Sequence, residues 1–516
     1  MSTSECVLSE QIRPYIRRAL AAGDHNYTAC GATDEEAGTE LAIARSIERA
    51  YIMGVSEPSP ATPHGEPALV VPVNVGSQAL LAAVFRTESG YQAVLRDLGQ
   101  GKFVFGDDNT TFGRWNALAA CTPAGQVIEI FRGHGGEIIP GKLSDHIERL
   151  RDNVRGGQRR PVQMDIDISM ACASRCSFCF SADYRATRKR DMMMDQQVML
   201  GLIREWAELG VKVVRFDGGG DPLTHPHILE AIRLSTDLGM QTAVLTSGDL
   251  LDERQFETLV TCRTYVRISL NAGYDATRLL LHDPVSTRYD VSRVLANVQR
   301  LSSLRMQTYG PSAQQQMLLG ATCMLHPANG GEVYRIAERA KEAGFDHLSF
   351  RVILGAKHAV QFTSSLQDAV DEQFARIGKD LVDESFLVFF PTRPLTDTGY
   401  VPQEFFPECL ACTHRMLIEV GHRSDVAALV PCGRYRGHGF RWSAENAERV
   451  TVFGHVQPPG RVADIWMNDR MRSLIASFPQ ACSDCIDRSA NLFFGHITGV
   501  LHRHGDAQFY RFATVD

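Results

Sequence analysis

The chain has 516 residues, 44% of them hydrophobic and 22% charged, a globular composition too long for one ordinary domain. Its net charge of −7 and isoelectric point near 6.2 give no electrostatic basis for nucleic-acid binding. Residues 1–20 do not read as a secretory signal, and no run approaches the roughly 18 apolar residues of a membrane span. A cytoplasmic protein is expected, in which thirteen cysteines point to metal or redox chemistry rather than disulfides.

Residues 1–155 predict an N-terminal α+β accessory domain. Ile12, Ile16 and Leu20 share one helix face, and Ala42–Tyr51 forms a second amphipathic run. After a break at Pro58, Pro60, Pro63 and Pro67, short strands are expected at Leu69–Val75, Leu80–Phe85, Tyr91–Leu95, Lys102–Phe105 and Val127–Phe131. A charged helix, Ser144–Arg155, leads to the polar link Gly156–Arg160.

Residues 161–400 alternate strands and helices. Strands are predicted at Val162–Ser169, Val211–Asp217, Gln241–Thr246, Tyr265–Asn271, Leu318–Leu325 and His347–Val352. Helices are predicted at Gln196–Leu209, Ile228–Leu238 and Glu332–Ala343, with Gly210 and Gly344 just past two of their ends. Such repeats imply an α/β fold with a parallel sheet, open or curled into a partial barrel, that binds ligands at the carboxyl ends of its strands. The last region, 401–516, is loop-rich and holds five cysteines.

Directly after the first of these strands stands Cys172-Ala-Ser-Arg-Cys176-Ser-Phe-Cys179. A set three-cysteine spacing should arise by chance on the order of 0.01 times in this chain. Three buried small residues would be the bland explanation, but Ser174, Arg175 and Ser177 keep the segment polar. Three thiolates suit an iron–sulfur cubane with one open iron, whereas structural zinc takes four ligands. The segment resembles the radical S-adenosylmethionine (SAM) family, whose C-x3-C-x2-C signature follows the first strand with an aromatic residue, here Phe178, before the last cysteine. The resemblance implies a partial (β/α)6 TIM-like barrel. It also implies a [4Fe–4S] cluster on Cys172, Cys176 and Cys179, with SAM chelated to the fourth iron.

Three further segments follow in the family's order. Gly218-Gly219-Gly220-Asp221-Pro222, alone a commonplace tight turn, is similar to the G-G-E-P segment that binds the SAM amino group, with Asp221 in place of Glu. Leu245-Thr246-Ser247-Gly248 is similar to the family's T-N-G and assigns Ser247 to the cofactor. Arg267, Ser269 and Asn271 share one strand face. Alone they are a polar strand end. The resemblance has Ser269 and Asn271 contact SAM, although the family more often has Asp where Asn271 stands. It covers roughly residues 161–355.

Cys409-x2-Cys412, Cys432 and Cys482-x2-Cys485 would by themselves suggest structural zinc. Downstream of such a core they look like the Twitch extension, a shorter relative of SPASM domains. That resemblance implies one auxiliary [4Fe–4S] cluster on Cys412, Cys432, Cys482 and Cys485. Cys409 is left over as an alternative ligand, a catalytic hydrogen donor or an inert residue.

The implied chemistry is reductive cleavage of SAM to a 5′-deoxyadenosyl radical, fed by an electron donor such as flavodoxin or ferredoxin, and hydrogen abstraction from substrate. An auxiliary cluster favours net oxidation in natural-product biosynthesis. No peptide-recognition module is legible in residues 69–131. The expected substrate is therefore a small polar metabolite of sugar, aminocyclitol or nucleoside type, with no nucleic acid and no membrane as partner. The alternatives are a peptide maturase forming a cross-link or epimer, and a non-catalytic zinc-stabilised binding protein. His225, His282, His326 and His414 are expected at the surface or as satisfied core groups, and Phe386–Phe390 as core.

Overall fold

Short runs of apolar and β-branched residues open the computed structural model as strands: Leu69–Val75 (β1), Gln78–Thr87 (β2) and Gly90–Asp97 (β3). They pair as an antiparallel meander, and Ala82 and Val84 of β2, two apart on one face, are fully buried. Ala117–Cys121 (β4) pairs on one side with Val127–Arg132 (β5) and on the other with a strand at Gln508–Phe512. Of the expected helix Ala42–Tyr51, Ile43, Ala44 and Ile47 are helical and buried. The described residues are chiefly 159–179, 191–285, 290–353, 361–383, 385–391, 409–436 and 451–481, with the strands just named and short pieces elsewhere. The expected helix around Ile12–Leu20 and strand Lys102–Phe105 lie outside them.

Contacts divide the chain into one unit of 1–154 with 495–516 and another of 155–494. In the second unit Gln163–Asp167 (β6) leads to Gln196–Glu208 (α1), Val213–Asp217 (β7), Ile228–Asp237 (α2), Gln241–Thr246 (β8), Glu253–Thr261 (α3) and Tyr265–Ser269 (β9). Asp275–His282 (α4), Val291–Tyr309 (α5), Leu319–Leu325 (β10), Val333–Glu342 (α6), His347–Val352 (β11), Ser364–Asp380 (α7) and Leu387–Phe389 (β12) follow. Strands β6 to β12 are all parallel and lie in chain order, so the expected α/β sheet of partial-barrel type is present. Strand β12 runs through the segment read in the sequence only as core.

Alternation explains the layering. Met164 and Ile166 of β6, Val214 and Phe216 of β7, and Val266 and Ile268 of β9 pack in the core shared with the helices, among them Val198, Leu202 and the fully buried Trp206 of α1. The alternate positions turn Asp165, Asp167, Arg215, Asp217, Arg267 and Ser269 to the opposite, inner face. Helix starts are fixed by side chains: Asp195 accepts from Gln197 N at 2.8 Å, and Asp252 forms a capping box with Gln255, each cap contributing about 1 kcal/mol. Gly210 and Gly344 stand past α1 and α6 with φ of +76° and +84°, as read from the sequence.

The region from 401 departs from the separate loop-rich domain expected. Arg415–Val420 (β13) pairs parallel with β6, and Ala427–Val430 (β14) and Gly454–Val456 (β15) extend the same sheet antiparallel. The runs Met416–Val420 and Ala427–Val430 are buried throughout, and they cover what would otherwise be the open edge of β6. Residues 495–516 fall instead with the N-terminal unit. Among the described residues no helix is long and apolar enough to cross a membrane.

Candidate active site

The strand β6 delivers the chain into the cysteine loop, and the loop after β7 grips it at once. Gly220 N donates to Ser169 O at 2.8 Å and Asp221 N to Ala171 O at 2.7 Å. A Cβ on Gly220 would lie 1.9 Å from Ala171 O, so only glycine permits this approach. The far side of the loop is held by the end of α4: Arg175 N donates to His282 O at 2.9 Å, Ser177 N to Leu281 O at 3.1 Å, and Val285 N to Ala173 O at 2.8 Å. Ser174 Oγ donates to the buried Asp249 at 2.6 Å.

Cys172, Cys176 and Cys179 are half-buried thiols on this pinned loop. Among the described residues no three His, Cys, Asp or Glu side chains converge on a single ion. A cubane takes each thiolate on a different iron, and three thiols spread along one glycine-backed loop fit that group.

Asp221 is buried, and its oxygens accept from Thr246 Oγ1 at 2.7 Å, Ser247 N at 2.9 Å, Ser247 Oγ at 2.9 Å and Leu223 N at 3.0 Å. Burial raises its pKa against those hydrogen bonds. The sequence reading gave this carboxylate to a SAM ammonium group. In the structure it ties the glycine loop to the end of β8, and the backbone of buried Gly219 and half-buried Gly220 is what a ligand could approach. Ser247 Oγ also lies 3.0 Å from Asp249, which forms a fully buried ion pair with Arg278.

Ser269 ends β9, half-buried, in register with Thr322. Asn271 is buried, and its amide is engaged within the protein: Oδ1 accepts from Met324 N at 2.6 Å and Nδ2 lies 3.1 Å from His282 Nε2. His282 Nδ1 is 3.5 Å from Cys176 Sγ, and Phe178 sets its ring edge-on to the imidazole with centroids 6.2 Å apart. Burial, with the charge of Arg278, holds the pKa of His282 well below the ordinary value. Sequence reasoning left His282 without a role because a helix intervenes between it and Asn271 and no local pattern marks it. His225 is a satisfied core group as expected, with Nε2 2.8 Å from Met194 O.

On the inner face of the sheet Arg215 pairs with Asp165 at 2.5 Å, and Arg436 pairs with Asp167 and, at 3.1 Å, with Asp217. Burial and the neighbouring Asp217 push the Asp167 carboxyl up to about 7 against the pull of Arg436. Burial also acts on Asp217, but Arg436, Arg215 and Arg267 outweigh it and hold that group at about 2. These charges had no sequence signal beyond strand alternation.

The second cysteine set stands elsewhere. Cys412, buried, lies in the short helix Ala411–His414 that leads into β13, and Cys432 stands two residues past the end of β14, so the hairpin brings both to one end. Since Arg415 aligns with Gln163, that end is where β6 starts, about 13 Å of strand away from the end that carries Cys172. Cys412 Sγ lies 3.2 Å from Cys409 O, and Asn491 Nδ2 lies 3.6 Å from Cys409 Sγ. Cys482 and Cys485 lie outside the described residues.

Comparison with known proteins bears on the same strands. Residues 166–311 match the model of the Radical SAM superfamily. A GTP 3′,8-cyclase of Chlorobaculum tepidum is 30% identical over 140 residues, 27% of this chain and 35% of its own length. A PqqA peptide cyclase of Gluconobacter oxydans is 27% identical over 99 residues, 19% of this chain and 27% of its own length. The chain thus spans about a third or less of either relative. The structure of Streptococcus suis SuiB bound to precursor peptide SuiA is 16% identical, with a TM-score of 0.44, covering 64% of this chain and 70% of that one. With the family goes the use of a [4Fe–4S] cluster and SAM, for which the loop of Cys172, Cys176 and Cys179 has the donors. This chain carries a radical SAM domain.

Proposed function

We propose that the protein is a radical SAM enzyme that closes a new bond, as a ring or cross-link, in a peptide. The observation that carries the reading is the single hydrogen-bonded assembly at the strand ends, in which Ser169, Ala171, Gly220, Asp221, Ser247 and Asp249 join the thiol loop to its two neighbours. In this reading Cys172, Cys176 and Cys179 hold the cluster, and the Gly219–Gly220 backbone faces the methionine end of SAM. When bound, these cofactors supply one-electron cleavage of SAM to methionine and a 5′-deoxyadenosyl radical that takes hydrogen from the substrate.

Ring closure from a substrate radical releases one more electron and a proton. Asp167, on the inner face with its pKa near 7, is suited to hold that proton, and Arg215 and Arg436 orient polar groups there. Cys412, Cys432, Cys482 and Cys485 would hold an auxiliary [4Fe–4S] cluster that accepts that electron, with Cys409 as the alternative ligand. Net oxidation of a small metabolite, the expectation from sequence, gives way because the two curated relatives are named as cyclases, one of them of a peptide. A nucleotide substrate is the second reading, favoured by the likeness to a GTP 3′,8-cyclase.

Oxygen-free protein given iron, sulfide, SAM and dithionite should form 5′-deoxyadenosine. Short peptides encoded beside the gene should accelerate it, and GTP should not. Acceleration by GTP alone moves the assignment to the second reading, and iron-free protein that does not cleave SAM ends both.

A further inference from the structure

We propose that His282 donates a hydrogen bond from Nδ1 to the Cys176 thiolate, is held in that tautomer by Asn271, and thereby sets the reduction potential of the cluster on that loop. The inference rests on Cys176 being a cluster ligand, as proposed above.

The tautomer follows from a chain of fixed donors. Met324 N can only donate, so the Asn271 atom 2.6 Å from it is the carbonyl oxygen Oδ1. The other end of the same planar amide is then Nδ2, a donor, 3.1 Å from His282 Nε2. Nε2 must present a lone pair, because an N–H there would set two donors face to face. A neutral ring accepting at Nε2 carries its proton on Nδ1, the nitrogen 3.5 Å from Cys176 Sγ.

The parts have little room to depart from this arrangement. Asn271 and His282 are each about 1% exposed, and the Asn271 main-chain oxygen accepts from Asn329 Nδ2 at 2.9 Å. The His282 main chain is bound to the cysteine loop itself through Arg175 N at 2.9 Å, so ring and thiolate move as one piece. A donor to cluster sulfur stabilises the more electron-rich reduced state and raises the potential.

An asparagine is needed for this role. A carboxylate at 271 has no proton to give, so it would accept from Nε2–H and turn the lone pair of Nδ1 toward the thiolate. Asn271→Asp therefore inverts the relay with almost no change of shape, while His282→Phe removes it.

The test uses the full chain, reconstituted without oxygen, with iron and sulfide counted first. Wild-type protein that binds no iron at this loop refutes the cluster reading itself, separately from the relay. With iron bound, the midpoint potential is followed on the EPR signal that changes when SAM is added, and pulsed EPR after exchange into D2O looks for a deuteron near the cluster. The wild type should show that deuteron. His282→Phe should lose it, and both variants should shift the potential to more negative values. Unchanged potentials in iron-loaded variants would overturn the proposal, and if His282→Phe fails to bind iron, Asn271→Asp alone decides.

Discussion

The two cysteine regions differ in how the fold places their thiols. Cys172, Cys176 and Cys179 share one short loop, and the backbone on either side of it is bonded to the loops after β7 and α4. Cys412 and Cys432 lie at one end of the hairpin of β13 and β14 that docks on β6, and Cys482 and Cys485 stand some fifty residues further along the chain. The first site is built by local sequence and then braced. Any cluster held by the second set would need the sheet assembled first, so its loading should depend on folding far more than that of the first.

The comparison can be broken most decisively at the first region. Replacing Cys172, Cys176 and Cys179 by alanine should reduce 5′-deoxyadenosine formation to background and remove that loop's iron; surviving cleavage would show that the braced loop is not the reactive one. Gly220→Ala leaves every thiol in place but forces Ala171 away from its position. Because misplacement by about 1 Å can cost on the order of 100-fold in rate, turnover should fall by about that factor while much of the iron stays. Arg278→Met strands Asp249, the partner of Ser174, without its counter-charge. Breaking such a buried pair costs about 3–5 kcal/mol, which denaturant unfolding of the iron-loaded chain would register.

The second region should respond more selectively. Cys412→Ala with Cys432→Ala is expected to lower iron content while SAM cleavage without substrate persists. Equal loss of both would mean that the two regions are not separable.

The smallest effect concerns Asp167. Its carboxyl titrates at about 7 in the folded chain and near 3.8 when unfolded, so the folded state binds more protons between those values. The stability this group contributes is complete below pH 4 and is lost as pH rises through 7. Asp167→Asn should flatten that slope in thermal melts. Asp217, held at about 2, acts only at more acid pH and in the opposite sense.

The same contrast explains what the sequence disclosed. Strands β6 to β11 were legible because apolar residues alternate with polar ones and the helices between them carry caps and terminal glycines. The thiol loop and glycine loop were legible because their chemistry is contiguous. For Asp221 only the fold shows that Thr246 and Ser247 donate to its oxygens. Asn271, His282 and Arg436 act through neighbours that are remote in sequence, and the pairing of β13 with β6 is a long-range choice that short buried runs do not announce.

The strand at Gln508–Phe512 completes a sheet begun at Ala117–Cys121, with the whole 155–494 unit made in between. At ordinary elongation rates of about 5–20 residues per second, one edge of β4 waits roughly 20–80 s for its mate. During that interval the nascent chain presents an unsatisfied strand edge, open to wrong pairing with a neighbour on the same message. Production of intact protein should therefore benefit from slow, cool expression and from chaperones that shield such edges until synthesis has passed residue 512.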